Sequence, residues 1–334
     1  MRYIIIGAGA IGGGIGGRLH ESGREVVLVA RGPHLDALRD GGLRLSTHQG
    51  DRTLGVRAVG GPGELELEPD DVLVLAVKSQ HTPGILEEWS DRPVAGGGTA
   101  EERLPLLCAQ NGVNNERLAL RWFRQVYGVC VWMPATHLEP GRVALAGTPV
   151  PGILHLGRYP SGSDATVGAI AADLERAGFR VPVPPDVMRW KYAKLIGNLG
   201  NAVDALAGRA ADGPVAELLR RLRAEGERVL TAAGIAYAGV EEQSRARTGV
   251  MASAPLEGVE LGGSSSRQSL ARGTGTIEAD YLNGEIVLLA RQHGLSAPLN
   301  EAVRRLANRY AREGRPPGSL PEAELAELAA LLGG

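Results

Sequence analysis

The sequence predicts an α/β fold, a doubly wound and mostly parallel sheet, followed by an all-α domain. Three observations lead there. The apolar run Tyr3-Ile4-Ile5-Ile6 turns through Gly7-Ala8-Gly9-Ala10-Ile11-Gly12 into a helical stretch. Strand-like runs then alternate with helical ones. After the Pro-rich segment Arg180-Val181-Pro182-Val183-Pro184-Pro185-Asp186, long amphipathic helices replace the strands.

The opening Gly-x-Gly-x-x-Gly has a mechanism in its context. Gly7 suits the tight strand-to-helix turn, Gly9 lets a pyrophosphate approach the backbone, and Gly12 lets the helix pack close to the sheet. The backbone from Gly7 through Ala8, Gly9, Ala10 and Ile11 to Gly12 is then placed to hold phosphates with free amides. A second strand, Glu25-Val26-Val27-Leu28-Val29-Ala30, follows the helix, as a dinucleotide-binding unit requires. The next residue is Arg31, where an acidic side chain would bind the adenosine ribose of NAD. A guanidinium there pairs with a 2′-phosphate instead, so NADP is the expected cofactor.

Further strand-like runs lie at residues 72–77, 106–109, 126–131 and 153–156, and ligands of such sheets bind outside the carboxyl ends of the strands. Residues 90–98, rich in Gly and Pro, read as a mobile surface loop. The Pro-rich segment sets the domain boundary, giving a nucleotide-binding domain over 1–183 and a helical substrate domain over 184–312. Helical periodicity is clearest at 215–223 and 281–289. A tail with a short helix, 313–334, either caps the core or meets a second copy of the chain in a homodimer.

Composition narrows the function classes. At 334 residues with 43% hydrophobic content the chain can bury two cores, and a net charge of -2 gives no basic field for nucleic acid. No run of 18 apolar residues marks a membrane span, and Arg2 followed at once by a strand and glycines argues against a secretory leader. Cys108 and Cys130 sit in apolar runs and read as reduced core thiols, which points to the cytoplasm. The seven histidines show no ligand spacing, so no metal is expected; His81, the one beside a candidate motif, reads as a surface residue.

Two motifs follow predicted strands of the first domain, Val77-Lys78-Ser79-Gln80 and Ala109-Gln110-Asn111-Gly112-Val113. Lys78 and Asn111 at the carboxyl edge of the sheet can hydrogen-bond a nicotinamide ribose and reach toward a substrate. In the second domain Lys194, Asn198 and Asn201 recur at i, i+4 and i+7, which on one helix makes a polar stripe among apolar residues. That stripe is a candidate substrate face. The segment 262–269 brings Ser265 and Ser266 near a helix start, where hydroxyls can bind a carboxylate, and Glu278 follows. Ser266 and Thr276 also suit helix N-caps, and Glu278 suits a helix N-terminus.

Together these pieces resemble the ketopantoate reductase family over nearly the whole chain. The residues that carry it are Gly7-x-Gly9-x-x-Gly12, Arg31, Val77-Lys78, Gln110-Asn111-Gly112, Lys194-Leu195-x-x-Asn198 and Glu278-Ala279-Asp280-Tyr281-Leu282-Asn283-Gly284. The resemblance implies a Rossmann-type domain, an all-α domain of the 6-phosphogluconate dehydrogenase-like kind closing over it, and NADPH-dependent reduction of a 2-keto acid. The first substrate to expect is 2-dehydropantoate (ketopantoate), giving pantoate. It also implies Lys194 as general acid, Glu278 anchoring a substrate hydroxyl and orienting Lys194, and Asn198 on a substrate oxygen. Ser265 or Ser266 would hold the carboxylate, and Lys78, Asn111 and Glu278 would contribute to cofactor binding. The family's second asparagine, eight residues after the lysine, is Ala202 here, and Asn201 stands one place earlier as its replacement. Were Lys191 to face the same cleft, its charge would lower the Lys194 pKa. Two other readings stay open on the residues alone, an opine-type dehydrogenase reducing an imine and a non-catalytic NADPH sensor.

Overall fold

A computed structural model describes residues 1–208, 210, 212–259 and 262–330. The chain begins with β1 (Arg2–Ile6), α1 (Ala10–Glu21), β2 (Glu25–Val29), α2 (Gly32–Gly41), β3 (Leu43–Thr47), β4 (Gly50–Leu54), β5 (Arg57–Val59) and β6 (Asp71–Leu75). It continues through α3 (Thr82–Trp89), α4 (Ala100–Arg103), β7 (Leu106–Cys108), α5 (Asn115–Ala119), β8 (Val126–Trp132), β9 (Ala135–Glu139), β10 (Arg142–Leu145), β11 (Gly147–Pro149), β12 (Ile153–Arg158) and α6 (Ala165–Arg176). The remainder is α7 (Val187–Asn198), α8 (Asn201–Ala207), α9 (Gly213–Ala232), α10 (Val240–Arg247), β13 (Met251–Ser253), α11 (Ser265–Ala271), α12 (Asn283–Gln292), α13 (Pro298–Glu313) and α14 (Glu322–Ala330).

The main sheet has the order β12-β8-β7-β6-β1-β2-β5, parallel throughout except for β12, which runs antiparallel to β8. This is a Rossmann-type arrangement. Because both faces are covered, its strands are continuous apolar runs. Tyr3, Ile5, Leu28 and Val74 point into a core shared with α1 and α6. Ile4, Ile6, Val29 and Leu75 point the other way, against Ile85, Leu86 and Trp89 of α3. Strand order reverses between β1 and β6, so the carboxyl ends of these two strands form the switch point where doubly wound sheets bind ligands.

A second sheet, β4-β3-β10-β9, packs its Leu43, Leu45, Val143 and Leu145 into the core under α1. No strand is expected from the sequence at these positions. β4 is almost wholly exposed and β3 pairs in parallel with β10, nearly a hundred residues away, so neither apolar periodicity nor a hairpin turn marks the pairing. Residues 90–98 form a surface turn, exposed from Ala95 to Gly98 and anchored at Val94. Val94 is buried, its N–H donates to the Gly98 carbonyl at 3.0 Å, and the Ala95 N–H donates to the Leu67 carbonyl at 2.8 Å.

The chain forms two compact units. The first holds Met1–Asn111, Asn115–Lys191 and the segment 239–259, which sequence reading assigns to the helical part. That segment joins the first unit because β13 pairs antiparallel with β11, a three-residue strand too short to give a periodic signal. The second unit comprises Gly112–Asn114, Tyr192–Ala238 and the chain from Gly262 onward. Its core gathers Leu206, Leu218, Leu222, Val303 and Tyr310. The tail packs Leu320, Leu325 and Leu328 on this core. The N–H groups of Gly318 and Leu320 donate to the carbonyls of Ala205 and Leu206, at 2.9 and 3.0 Å, so they satisfy the otherwise orphaned end of α8. Among the described residues no helix is long and apolar enough to cross a membrane.

His155 on β12 is 1% exposed, stacked on Trp190 at 4.0 Å and edge-on to Trp132 at 4.8 Å between ring centroids. Neither ring nitrogen has a hydrogen-bond partner among the described residues, and burial pushes its pKa down to about 4 from 6.5. Between those values the unfolded chain carries the proton and the folded one does not, so stability falls as pH drops through the window. The loss is on the order of 3 kcal/mol. His155→Phe is expected to flatten this acid limb in thermal melts between pH 7 and pH 4.5; an unchanged slope would contradict the assignment.

Candidate active site

The glycine turn is built by exclusion of side chains. Gly7 has φ +101°, and a Cβ there would lie 2.9 Å from the Val77 nitrogen; one at Gly12 would lie 2.1 Å from the Gly7 carbonyl oxygen. Gly9 differs, since a Cβ there meets nothing within 4 Å. The protein leaves that side of the turn open, as a dinucleotide approaching the backbone requires. Gly9 is the N-cap of α1 with no side-chain cap and no acidic residue in the first turn, so this helix start suits an anion.

A cleft of about 340 Å³ opens here, lined by Gly7, Ala8, Arg31, His34, Val77 and Trp89 among others. Arg31 follows β2 at the N-cap of α2, and its side chain is 69% exposed, paired with Glu88 at 2.9 Å. His81 is exposed and forms part of the same wall, so its surface position is on the cleft itself. Lys78 follows β6 at the start of the short 3-10 helix Ser79–His81, and Asn111 follows β7. Their segments are knitted together. The Asn111 carbonyl accepts from Asn115 Nδ2 at 3.0 Å and from the Ser79 hydroxyl at 3.4 Å, while Gln110 Nε2 donates to the Val77 carbonyl at 2.8 Å.

Lys191 does not face a cleft. Its side chain is 2% exposed and its ammonium is ion-paired with the fully buried carboxylate of Glu116 on α5. Burial pushes the Glu116 carboxyl up against the pull of that ammonium. The expectation that Lys191 acts as a free like charge on Lys194 is therefore corrected, because a partner 75 positions away in sequence neutralises it.

In the second unit Lys194 and Asn198 stand one turn apart on α7, but the expected stripe stops there. α7 ends at Asn198 and α8 starts at Asn201, so Asn201 does not continue the same helix. The Leu199 N–H is shared between the Leu195 and Ile196 carbonyls, at 3.1 and 3.4 Å, which tightens the last turn next to Gly200. Asn283 Nδ2 holds the Leu199 carbonyl at 3.0 Å. Asn198 Nδ2 is buried with no partner among the described residues, a donor that a ligand oxygen would satisfy. Ala202 is buried in the apolar core.

Ser264, not Ser265 or Ser266, caps α11, accepting from the Arg267 N–H at 3.2 Å. Ser265 is half-buried and Ser266 buried in the first turn behind it. Glu278 is buried in the 3-10 helix Glu278–Tyr281. Asp204, which carries no sequence signal, ties these pieces together: its Oδ2 accepts from the Ser264 N–H at 2.9 Å, and the Ser264 hydroxyl donates to the Asn201 carbonyl at 3.2 Å.

Family profiles match both parts of the chain, "Ketopantoate reductase PanE/ApbA" over residues 3–161 and "Ketopantoate reductase PanE/ApbA C terminal" over residues 186–311. The chain belongs to the ketopantoate reductase family. It is an oxidoreductase. The 2-dehydropantoate 2-reductase of Pyrococcus abyssi is 29% identical over 310 residues, 90% of this chain and 94% of that one. The crystal structure of a PanE/ApbA family ketopantoate reductase from Ralstonia eutropha matches with a TM-score of 0.77 at 26% identity, over 94% of this chain and all of that chain. D-mandelate dehydrogenase, solved with NADH and anilino(oxo)acetate, shares the fold with a TM-score of 0.77 at 20% identity, over 94% of this chain and 99% of that one.

Proposed function

We propose that this protein reduces a 2-keto acid to a 2-hydroxy acid with NADPH, ketopantoate to pantoate foremost, with Lys194 as general acid. The family and its relatives named 2-dehydropantoate 2-reductase support the reaction class. The observation that carries the cofactor reading is the open side of Gly9 at the uncapped start of α1, next to a cleft lined by Gly7, Ala8 and Arg31.

NADPH supplies hydride from its nicotinamide C4 to the keto carbon when bound. The amides at the start of α1 would hold the pyrophosphate, Arg31 would pair with the 2′-phosphate, Lys78 and Asn111 would bind the nicotinamide ribose, and Glu278 would contribute to cofactor binding. Lys194 Nζ gives its proton to the keto oxygen, and its charge stabilises the alkoxide as it forms. The unpaired Asn198 Nδ2 donates to a substrate oxygen. Asn201 and the hydroxyl of Ser265 or Ser266 serve the substrate's polar groups, and Glu278 anchors a hydroxyl and orients Lys194.

Arg31→Ala is expected to raise KM for NADPH by about 10- to 100-fold while leaving KM for NADH nearly unchanged, the loss of charge-assisted bonds to one phosphate. Equal effects on both nucleotides would remove Arg31 from the 2′-phosphate. The reaction itself is tested by initial rates of NADPH oxidation with ketopantoate beside branched and aromatic 2-keto acids, with and without an added amine. Ketopantoate is expected to show the highest kcat/KM. Turnover only with the amine would mark an opine-type dehydrogenase, and NADPH binding without any turnover would mark a sensor.

A further inference from the structure

The glycine turn has a support outside its own motif. His34, in the first turn of α2, donates its Nε2–H to the Ala8 carbonyl at 2.7 Å. Its Nδ1 accepts the Gly141 N–H at 2.9 Å, from the turn between β9 and β10. His137 of β9 lies edge-on to it, 4.6 Å between ring centroids, with its Nε2 3.3 Å from the same Nδ1. A backbone donor at Nδ1 and a carbonyl at Nε2 together assign the neutral tautomer that carries its proton on Nε2. Burial holds the His34 pKa below its ordinary value, in keeping with that form.

The bond falls on a peptide of the turn that lies between the Val29-bound amides and the first helical bond, Gly13 N–H to the Gly9 carbonyl. The Gly7 and Ala8 N–H groups are both held by the Val29 carbonyl of β2, at 3.1 Å each. The next peptide joins Ala8 to Gly9, and it is trans. In a trans peptide the carbonyl and the following N–H point in opposite directions, so fixing the Ala8 carbonyl also fixes the Gly9 N–H. Gly9 is the N-cap of α1, where that amide belongs to the anion-binding start of the helix.

We propose that His34 is a positioning residue for the cofactor: by holding the Ala8 carbonyl it presents the Gly9 amide to the pyrophosphate of the dinucleotide. The proposal rests on the dinucleotide reading of this cleft. It places a specific requirement on α2, an imidazole Nε2–H or its equivalent, which the Gly-x-Gly-x-x-Gly pattern does not contain.

NADPH titration of the full chain by calorimetry, followed by steady-state kinetics, tests it with His34→Leu, His34→Gln and His34→Asn. His34→Leu is expected to raise Kd and KM for NADPH about tenfold, with kcat at saturating NADPH and KM for the keto acid unchanged. His34→Gln, whose amide N–H can still reach the Ala8 carbonyl, should recover to within about threefold, and His34→Asn, whose shorter amide cannot, should not. Should His34→Leu fail to fold, the comparison of the Gln and Asn variants decides, and equal affinities for the two overturn the proposal. So does an unchanged Kd in His34→Leu, or a uniform loss of kcat with a rise in both KM values. A wild-type chain that does not bind NADPH overturns the dinucleotide reading itself, and the proposal with it.

Discussion

Lys194→Ala is expected to lower kcat for keto-acid reduction by about 10²- to 10⁴-fold at saturating NADPH while leaving NADPH affinity within about twofold. On the proposed mechanism two effects reside in one ammonium, transfer of a proton to the keto oxygen and stabilisation of the charge that grows there. Lys194→Arg separates them. A guanidinium keeps the charge but does not release a proton near neutral pH, so this variant should fall between the wild type and Lys194→Ala. Stopped-flow or steady-state rates measure both. A Lys194→Ala enzyme within about threefold of the wild-type kcat would take the lysine out of the chemistry.

The second large effect concerns stability. Glu116 and Lys191 form an ion pair whose side chains are 0% and 2% exposed, and the Lys191 ammonium also lies 3.5 Å from the Cys108 carbonyl. Removing either partner leaves the other charge buried and unpaired. Glu116→Ala or Lys191→Ala is therefore expected to cost about 3–5 kcal/mol of unfolding free energy, read as a lower midpoint in urea. Replacing both together, Glu116→Leu with Lys191→Met, should recover most of that loss, because an apolar pair has no desolvation to offset. A cost below about 1 kcal/mol for the single variants would mean that water reaches the pair.

How much of this was legible in the sequence depends on the range of the interaction. β1, β2, β6, β7 and β8 are continuous apolar runs, and their burial on both faces is what makes them readable one at a time. The glycine turn was legible from its own pattern, since Gly12 is required by the Gly7 carbonyl and Ile5 beside it, whereas the neighbour that excludes a side chain at Gly7 is Val77, far away in sequence. Lys78, Asn111 and Arg31 stand at strand ends, so the parallel topology was enough to place them at the carboxyl edge of the sheet.

The remainder depends on partners far away in sequence. Nothing near Lys191 announces Glu116, nothing near His34 announces Gly141, and nothing near Leu199 announces Asn283. The break between α7 and α8 shows the limit most clearly. Helical arithmetic carried Asn201 onto the face of Lys194, but it assumed one unbroken helix, and the chain tightens and restarts around Gly200 instead. In the serine segment the residue types were read correctly as a helix start, while the cap fell on Ser264 because Asp204 holds that residue's N–H.

The most direct test is to mix the full chain with NADPH and ketopantoate and to follow NADPH consumption and pantoate formation together. The expected result is one pantoate formed per NADPH oxidised, at a kcat of about 1–10³ s⁻¹ that Lys194→Ala lowers by about 10²- to 10⁴-fold. NADPH bound but not consumed, with no pantoate formed, would contradict the assignment of this chain as a ketopantoate-reducing enzyme.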